Sequence, residues 1–134
     1  MTEQQLCHAA LEALNNSYAP YSEFYVGAAL LTEDNAVFCG CNIENASFSA
    51  TVCAERAAVF KAISEGKRNF KMMALAAKKD GVIQNAVTPC GVCRQVLAEF
   101  CPPEFPILLV TGADCYKRCT LGELFPQSFS GDCL

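Results

Sequence analysis

Two short runs in this 134-residue chain, Met72–Ala77 and Pro106–Thr111, are apolar without the alternation of a half-buried strand. Such runs belong to strands covered on both faces, which requires helices on each side of a sheet. The sequence between them supplies one helix. Cys90–Phe100 carries Val92, Val96, Leu97 and Phe100 at helical spacing, follows Pro89, and is stopped by Pro102 and Pro103. Earlier segments extend the pattern. Thr2–Asn16 reads as an amphipathic helix with Leu6, Ala10, Ala13 and Leu14 on one stripe, and Thr2 with Gln5 has the form of a capping box. Tyr18–Phe24, which contains Pro20 and Ser22, is a loop, and Val26–Leu31 with Ala36–Cys41 makes a hairpin around Glu33, Asp34 and Asn35. Cys53–Glu65 is an Ala-rich helix closed by Gly66, with so little polar face that it is predicted to be buried. Tyr116–Thr120 is a weaker strand and Leu121–Phe125 a short helix. The order α-β-β-α-β-α-β-β predicts one α/β domain over residues 1–134, three layers α-β-α, with a mixed sheet of about five strands.

Composition narrows the function. A hydrophobic content of 52% with 18% charged residues argues against disorder. Ten cysteines leave two choices, a disulfide scaffold or a protein with reduced thiols. Met1–Ser17 has no basic segment followed by an apolar one, as a secretory leader would. No apolar run approaches the roughly 20 residues of a membrane span, and no terminal lipidation motif is visible. The expectation is a cytoplasmic protein with free thiols and no membrane partner. A net charge of −4, with Lys and Arg scattered, lacks the basic patch of a protein that grips a phosphate backbone. Nucleic acid is therefore disfavoured, and a small neutral ligand is easier to accommodate.

Pro89-Cys90-Gly91-Val92-Cys93 places a C-x-x-C at the start of a helix, and Cys53-Ala54-Glu55-Arg56 opens the earlier one. Alone, the first pattern fits redox chemistry, structural zinc or catalytic zinc. A redox pair of the thioredoxin type would follow the first strand of a βαβ unit, which is not its position here. Structural zinc takes four protein ligands and catalytic zinc keeps one position for water, and seven further cysteines leave both open by count. Glu55 favours catalysis, because a metal-activated water needs a proton acceptor beside it. Residues two apart on a helix diverge, so Cys53 and Glu55 share a site only if it lies beyond the helix N-terminus. Cys90 and Cys93 are three apart, on one face. The positive ends of both helices favour thiolates. Arg56, three residues from Cys53, offsets the charge of a three-thiolate zinc centre, which would otherwise make the bound water less acidic.

Cys53-Ala54-Glu55 with Pro89-Cys90-Gly91-Val92-Cys93 matches the H-x-E…P-C-x-x-C signature of zinc deaminases in its three-cysteine form. More of the chain resembles one branch, the small zinc-dependent cytidine deaminases of nucleoside salvage. Tyr18-Ala19-Pro20-Tyr21-Ser22-Glu23-Phe24 through Val26–Leu30, Gly40-Cys41-Asn42-Ile43-Glu44-Asn45-Ala46, Cys90–Leu97, and Leu121–Pro126 followed by Phe129 are similar to that family's segments. The resemblance implies a mixed five-stranded sheet between helices, a homotetramer, and a free nucleoside substrate. It implies that Cys53, Cys90 and Cys93 hold one zinc and that Glu55 shuttles protons. It further implies that Asn42 and Glu44 hydrogen-bond the sugar 3′-hydroxyl and that Phe24 packs on the pyrimidine. The Ala54 amide then contacts the base O2, the Thr88 carbonyl accepts from the C4 amino group, and Phe129 reaches a neighbouring subunit's site.

Read without that resemblance, Phe24 and Phe129 are core aromatics, Asn42 and Glu44 solvated loop residues, and Arg56 half of a surface ion pair. His8, the sole histidine, is expected on an exposed face. Cys39, Cys41, Cys101, Cys115 and Cys119 are expected to pack as small hydrophobes, and Cys133 to lie exposed. Two positions depart from the family pattern. Phe48 stands where many relatives have Tyr, and Tyr25 where Pro is often found. Three rivals remain. One is a sister deaminase acting on blasticidin S, against which Asn42 with Glu44 argues. Another is a polynucleotide-editing deaminase, against which the acidic balance argues. The last is a structural zinc protein, in which Glu55 would have no task.

Overall fold

The computed structural model describes all of residues 1–134. The chain opens with α1 (Glu3–Ala13), whose Thr2 hydroxyl accepts from the Gln5 amide while Gln5 reaches back to the Thr2 amide. After the loop come β1 (Phe24–Thr32) and β2 (Val37–Cys41), then α2 (Ala54–Ser64). The strand β3 (Phe70–Lys79) is followed by a two-residue β4 (Val82–Ile83), and α3 (Gly91–Phe100) leads to β5 (Pro106–Gly112). The chain then runs through β6 (Cys115–Thr120) and the short α4 (Leu121–Leu124). Single 3₁₀ turns sit at Leu14–Asn16, Phe48–Ala50 and Gly131–Cys133. No helix is long and apolar enough to cross a membrane.

The strands run in the order β2-β1-β3-β5-β6, the five expected, with β4 attached to β3 beside this path. All pairings are antiparallel except β3 with β5, which α3 connects. The added β4 comes from a turn at Asp80 and Gly81, both with positive φ (51° and 75°). That is the requirement of a type I′ hairpin, for which Asp-Gly is a favoured pair.

Parity along the strands explains the unbroken apolar runs. Met73, Leu75, Ile107 and Leu109 face α2 and α3 in one core cluster, while Ala74, Ala76, Leu108 and Val110 face α1 in the other. Helices thus cover both faces, as the runs required. Two glycines set the spacing. A Cβ on Gly27 would lie 2.1 Å from the Ala10 carbonyl oxygen, and one on Gly40 would lie 2.4 Å from that of Ala54. Only a glycine lets α1 and the start of α2 approach the sheet this closely.

Two expectations need correction. The second helix is not buried all round. Ala54, Ala58, Val59 and Ala62 lie inside, but Phe60 is 49% exposed, because a helix on a single sheet keeps one side outward. Cys115 is not a packed thiol but is exposed, since it opens β6 directly after the β5–β6 turn. Cys101 and Cys119 are buried, Cys39 and Cys41 half-buried, and Cys133 and His8 exposed. All ten cysteines are free.

Candidate active site

Both helix starts converge at one place. Cys53 is the N-cap of α2 and Cys90 the N-cap of α3, each in extended conformation, while Cys93 lies in the first turn of α3. The Cys53 and Cys90 sulfurs are 3.7 Å apart and those of Cys90 and Cys93 3.5 Å. All three lie within 4.8 Å of one another, and no fourth metal-ligating side chain joins them. A tetrahedral zinc with Zn–S bonds of about 2.3 Å places its sulfurs roughly 3.8 Å apart. The donor set therefore fits zinc, and three ligands leave the open position that distinguishes a catalytic site from a structural one.

Electrostatics at the helix starts favour a thiolate. The neighbouring Cys93 thiol, with the Arg56 guanidinium, pulls Cys53 down to about 5 against the opposing effect of burial. Arg56 Nη2 donates to Cys53 Sγ at 3.4 Å. Its Nε is buried without a partner, and the guanidinium makes no ion pair with a carboxylate. Cys93 is pushed the other way, by its contact with Cys53 and by burial, so the free protein keeps a proton there. Glu55, 4% exposed on the first turn of α2, is raised to about 7 by burial. A carboxyl poised near neutrality can both take and give a proton.

Cys53 and Cys90 line a cavity of about 350 Å³, together with Phe24, Asn42, Glu44, Ala54, Glu55 and Thr88. That size suits a small organic ligand. Cys93 lies buried beneath it, and Arg56 stands behind the sulfurs. Phe129 is not among the lining residues. It is 57% exposed, with its carbonyl accepting from Gln95 Nε2 at 3.0 Å.

Two polar residues of this cavity, Asn42 and Glu44, are already engaged. Asn42 Oδ1 accepts from the Val26 amide at 2.9 Å, and its Nδ2 donates to the Phe24 carbonyl at 2.8 Å. It thereby fixes the backbone that carries the Phe24 ring, yet keeps one N–H and one lone pair free. Glu44 accepts from the Tyr21 and Ser22 amides at 3.0 and 3.1 Å and from the Ser22 hydroxyl. The Ser22 hydroxyl above all holds Glu44 below the usual carboxylate range. Neither is the merely solvated residue that composition alone suggests.

Ser22, Val26, Thr51, Val52, Leu75 and Val87 complete the cavity wall, and none of them is singled out as a site residue by the sequence. Strand parity would have found Val26 and Leu75, which share the face toward α2. Val52 reaches the wall through an isolated bridge to Ile43, which local sequence does not announce.

Residues 1–109 match the family model described as the cytidine and deoxycytidylate deaminase zinc-binding region. A cytidine deaminase of Sporosarcina psychrophila is 45% identical over 130 residues, covering 97% of this chain and 93% of the relative. One of Halalkalibacterium halodurans is 44% identical over 132 residues, covering 98% and 97%. The crystal structure of a cytidine deaminase from Burkholderia pseudomallei is similar with a TM-score of 0.88 at 40% identity, covering 96% of this chain and all (100%) of that one. The three-thiol cluster at the two helix starts is compatible with the zinc binding of that region, and the chain belongs to the cytidine deaminase family.

Proposed function

We propose that this chain, acting as one catalytic domain over residues 1–134, hydrolyses free cytidine and deoxycytidine to uridine and deoxyuridine with release of ammonia, as a step of pyrimidine salvage. The observation that carries this reading is the junction of three convergent thiols with a buried carboxylate, Glu55, on the wall of one cavity. Bound there by Cys53, Cys90 and Cys93, zinc supplies the Lewis acidity that makes water a nucleophile near neutral pH.

The chain's own residues do the rest. Glu55 takes a proton from the attacking water as oxygen bonds to C4 of the cytosine, and delivers that proton to N3. The proton left on that oxygen passes through Glu55 to the amino group, the C4–N bond breaks as the C4 carbonyl forms, and ammonia leaves. Phe24 packs on the ring, the Ala54 amide donates to O2, and the Thr88 carbonyl accepts from the amino group. The free N–H of Asn42 and a Glu44 oxygen hold the sugar hydroxyl. Arg56 offsets the charge of the three thiolates.

Phe129 lies outside the cavity of its own chain, and Phe48, Phe60 and Val92 are exposed apolar side chains. Surface of this kind supports assembly of copies, and we infer a homotetramer in which Phe129 completes a neighbour's site. Ten free thiols suit the reducing cytoplasm, with neither nucleic acid nor membrane as partner.

The test is ammonia release by zinc-loaded protein from cytidine, deoxycytidine, blasticidin S and a cytosine-containing oligonucleotide. Release from the two free nucleosides alone supports the proposal. Release from blasticidin S or the oligonucleotide alone replaces it with one of the rivals. No release, with zinc tightly bound, leaves the structural role.

A further inference from the structure

Arg94 stands one residue after the last zinc ligand, and its guanidinium meets no carboxylate. It is spent on three neutral acceptors. Nε donates to the Pro89 carbonyl at 2.7 Å, Nη2 to the Thr88 hydroxyl at 3.0 Å, and Nη1 to the Leu124 carbonyl at 2.5 Å. Its backbone amide donates to the Cys90 carbonyl at 3.0 Å. One residue thus holds the side chain or main chain of three consecutive positions, 88 to 90, the segment that leads into the exposed zinc ligand and lines the cavity. The Leu124 carbonyl belongs to the end of α4, where helical carbonyls lack intrahelical donors. Beyond it the chain runs to Phe129, whose carbonyl is held by Gln95, the neighbour of Arg94.

We propose that Arg94 is a positioning residue that fixes the segment of residues 88–90, whose Thr88 and Cys90 line the cavity, against the end of α4, so that this wall meets the substrate in one geometry. The planar guanidinium serves three divergent acceptors at once, which a lysine ammonium on a flexible stem does not do in a fixed orientation. Pro89 adds to the need, since it has no amide of its own with which to anchor the turn. The inference rests on the deaminase reading of the same cavity.

The test compares wild type, Arg94→Met and Arg94→Lys, each loaded with zinc. Arg94→Met should raise KM for cytidine about tenfold while kcat stays within roughly threefold, the pattern of lost substrate positioning rather than lost chemistry. Arg94→Lys should recover part of that KM. Zinc release to a chelator, measured without substrate, should quicken about threefold or more in Arg94→Met, because Pro89 leads into Cys90. If KM and zinc release are unchanged while the melting temperature falls, Arg94 is a structural tie and the inference is overturned. A drop in kcat at constant KM overturns it as well. Should Arg94→Met not fold, Arg94→Lys decides, with a raised KM supporting the inference and an unchanged one overturning it. Wild-type protein that holds zinc but releases no ammonia sinks the deaminase reading alone, and zinc release then decides the role of Arg94.

Discussion

The two faces of the sheet are each covered by a helix that carries a cysteine, Cys7 on one and Cys53 on the other, and these two thiols are shifted in opposite directions. On one face Cys7 sits in the middle of α1, 1% exposed, and burial with the nearby Glu3 pushes its thiol up to about 11. On the other, Cys53 begins α2 and is drawn down to about 5. The residue type is the same. The difference lies in position along the helix and in company. The mid-helix Cys7 thiol has only burial and the Glu3 carboxylate acting on it, whereas Cys53, at a helix start, is drawn down first by the hydrogen bond from Cys93 and then by Arg56. The middles of the helices build the fold, and their beginnings carry the chemistry.

Substitution should separate the faces sharply. Cys93→Ala removes one of the three proposed zinc ligands and is expected to abolish both stoichiometric zinc and deamination, as read by metal analysis and ammonia release. Cys7→Ala is expected to leave zinc content and kcat near wild type. Zinc lost with Cys7, or kept with activity by Cys93→Ala, would break the comparison.

A smaller effect sharpens it from outside the chain's own cavity. Phe129→Ala should raise KM for cytidine up to roughly tenfold, the measure of one aromatic contact of about 0.5–1.5 kcal/mol. Sedimentation should show an assembly of four copies in the wild type. A fully active monomer would remove the role given to Phe129.

The smallest effect concerns alkaline pH on the inert face. Up to about pH 9 the Cys7 thiol is protonated in folded and unfolded chains alike, and its contribution to stability is complete. From the ordinary 9.0 to about 11 the unfolded chain ionises first, so the folded state binds more protons and stability falls as pH rises. Buried Cys101, pushed up to about 12, acts with the same sign. The melting temperature should decline between pH 9 and 11, and less steeply for Cys7→Ala. An identical slope in both proteins would show that folding does not raise the Cys7 thiol, and would contradict this prediction.

Much of this was legible in sequence because it is local. The proline before Cys90, the spacing of Cys90 and Cys93, and Glu55 two residues after Cys53 state which helix ends matter. Unbroken apolar runs state that the sheet is covered twice. Other features depend on what is far away in the chain. The exposure of Phe60 follows from how many surfaces α2 meets, and Val52 enters the cavity wall through its bridge to Ile43. Asn42 and Glu44 could be matched to a family motif, but their engagement with the backbone of residues 21–26 appears only when the loop folds over them. The Asp80-Gly81 hairpin, by contrast, is written locally in its turn pair.

The central claim joins the three thiols to Glu55 in a single act of hydrolysis. It is tested most directly by zinc content and ammonia release measured together on Glu55→Ala with cytidine as substrate. The account predicts one zinc per chain, as in the wild type, with turnover reduced by roughly 10²- to 10⁴-fold, the usual contribution of a positioned proton-transfer group. Near-normal deamination by a zinc-loaded Glu55→Ala protein would contradict it.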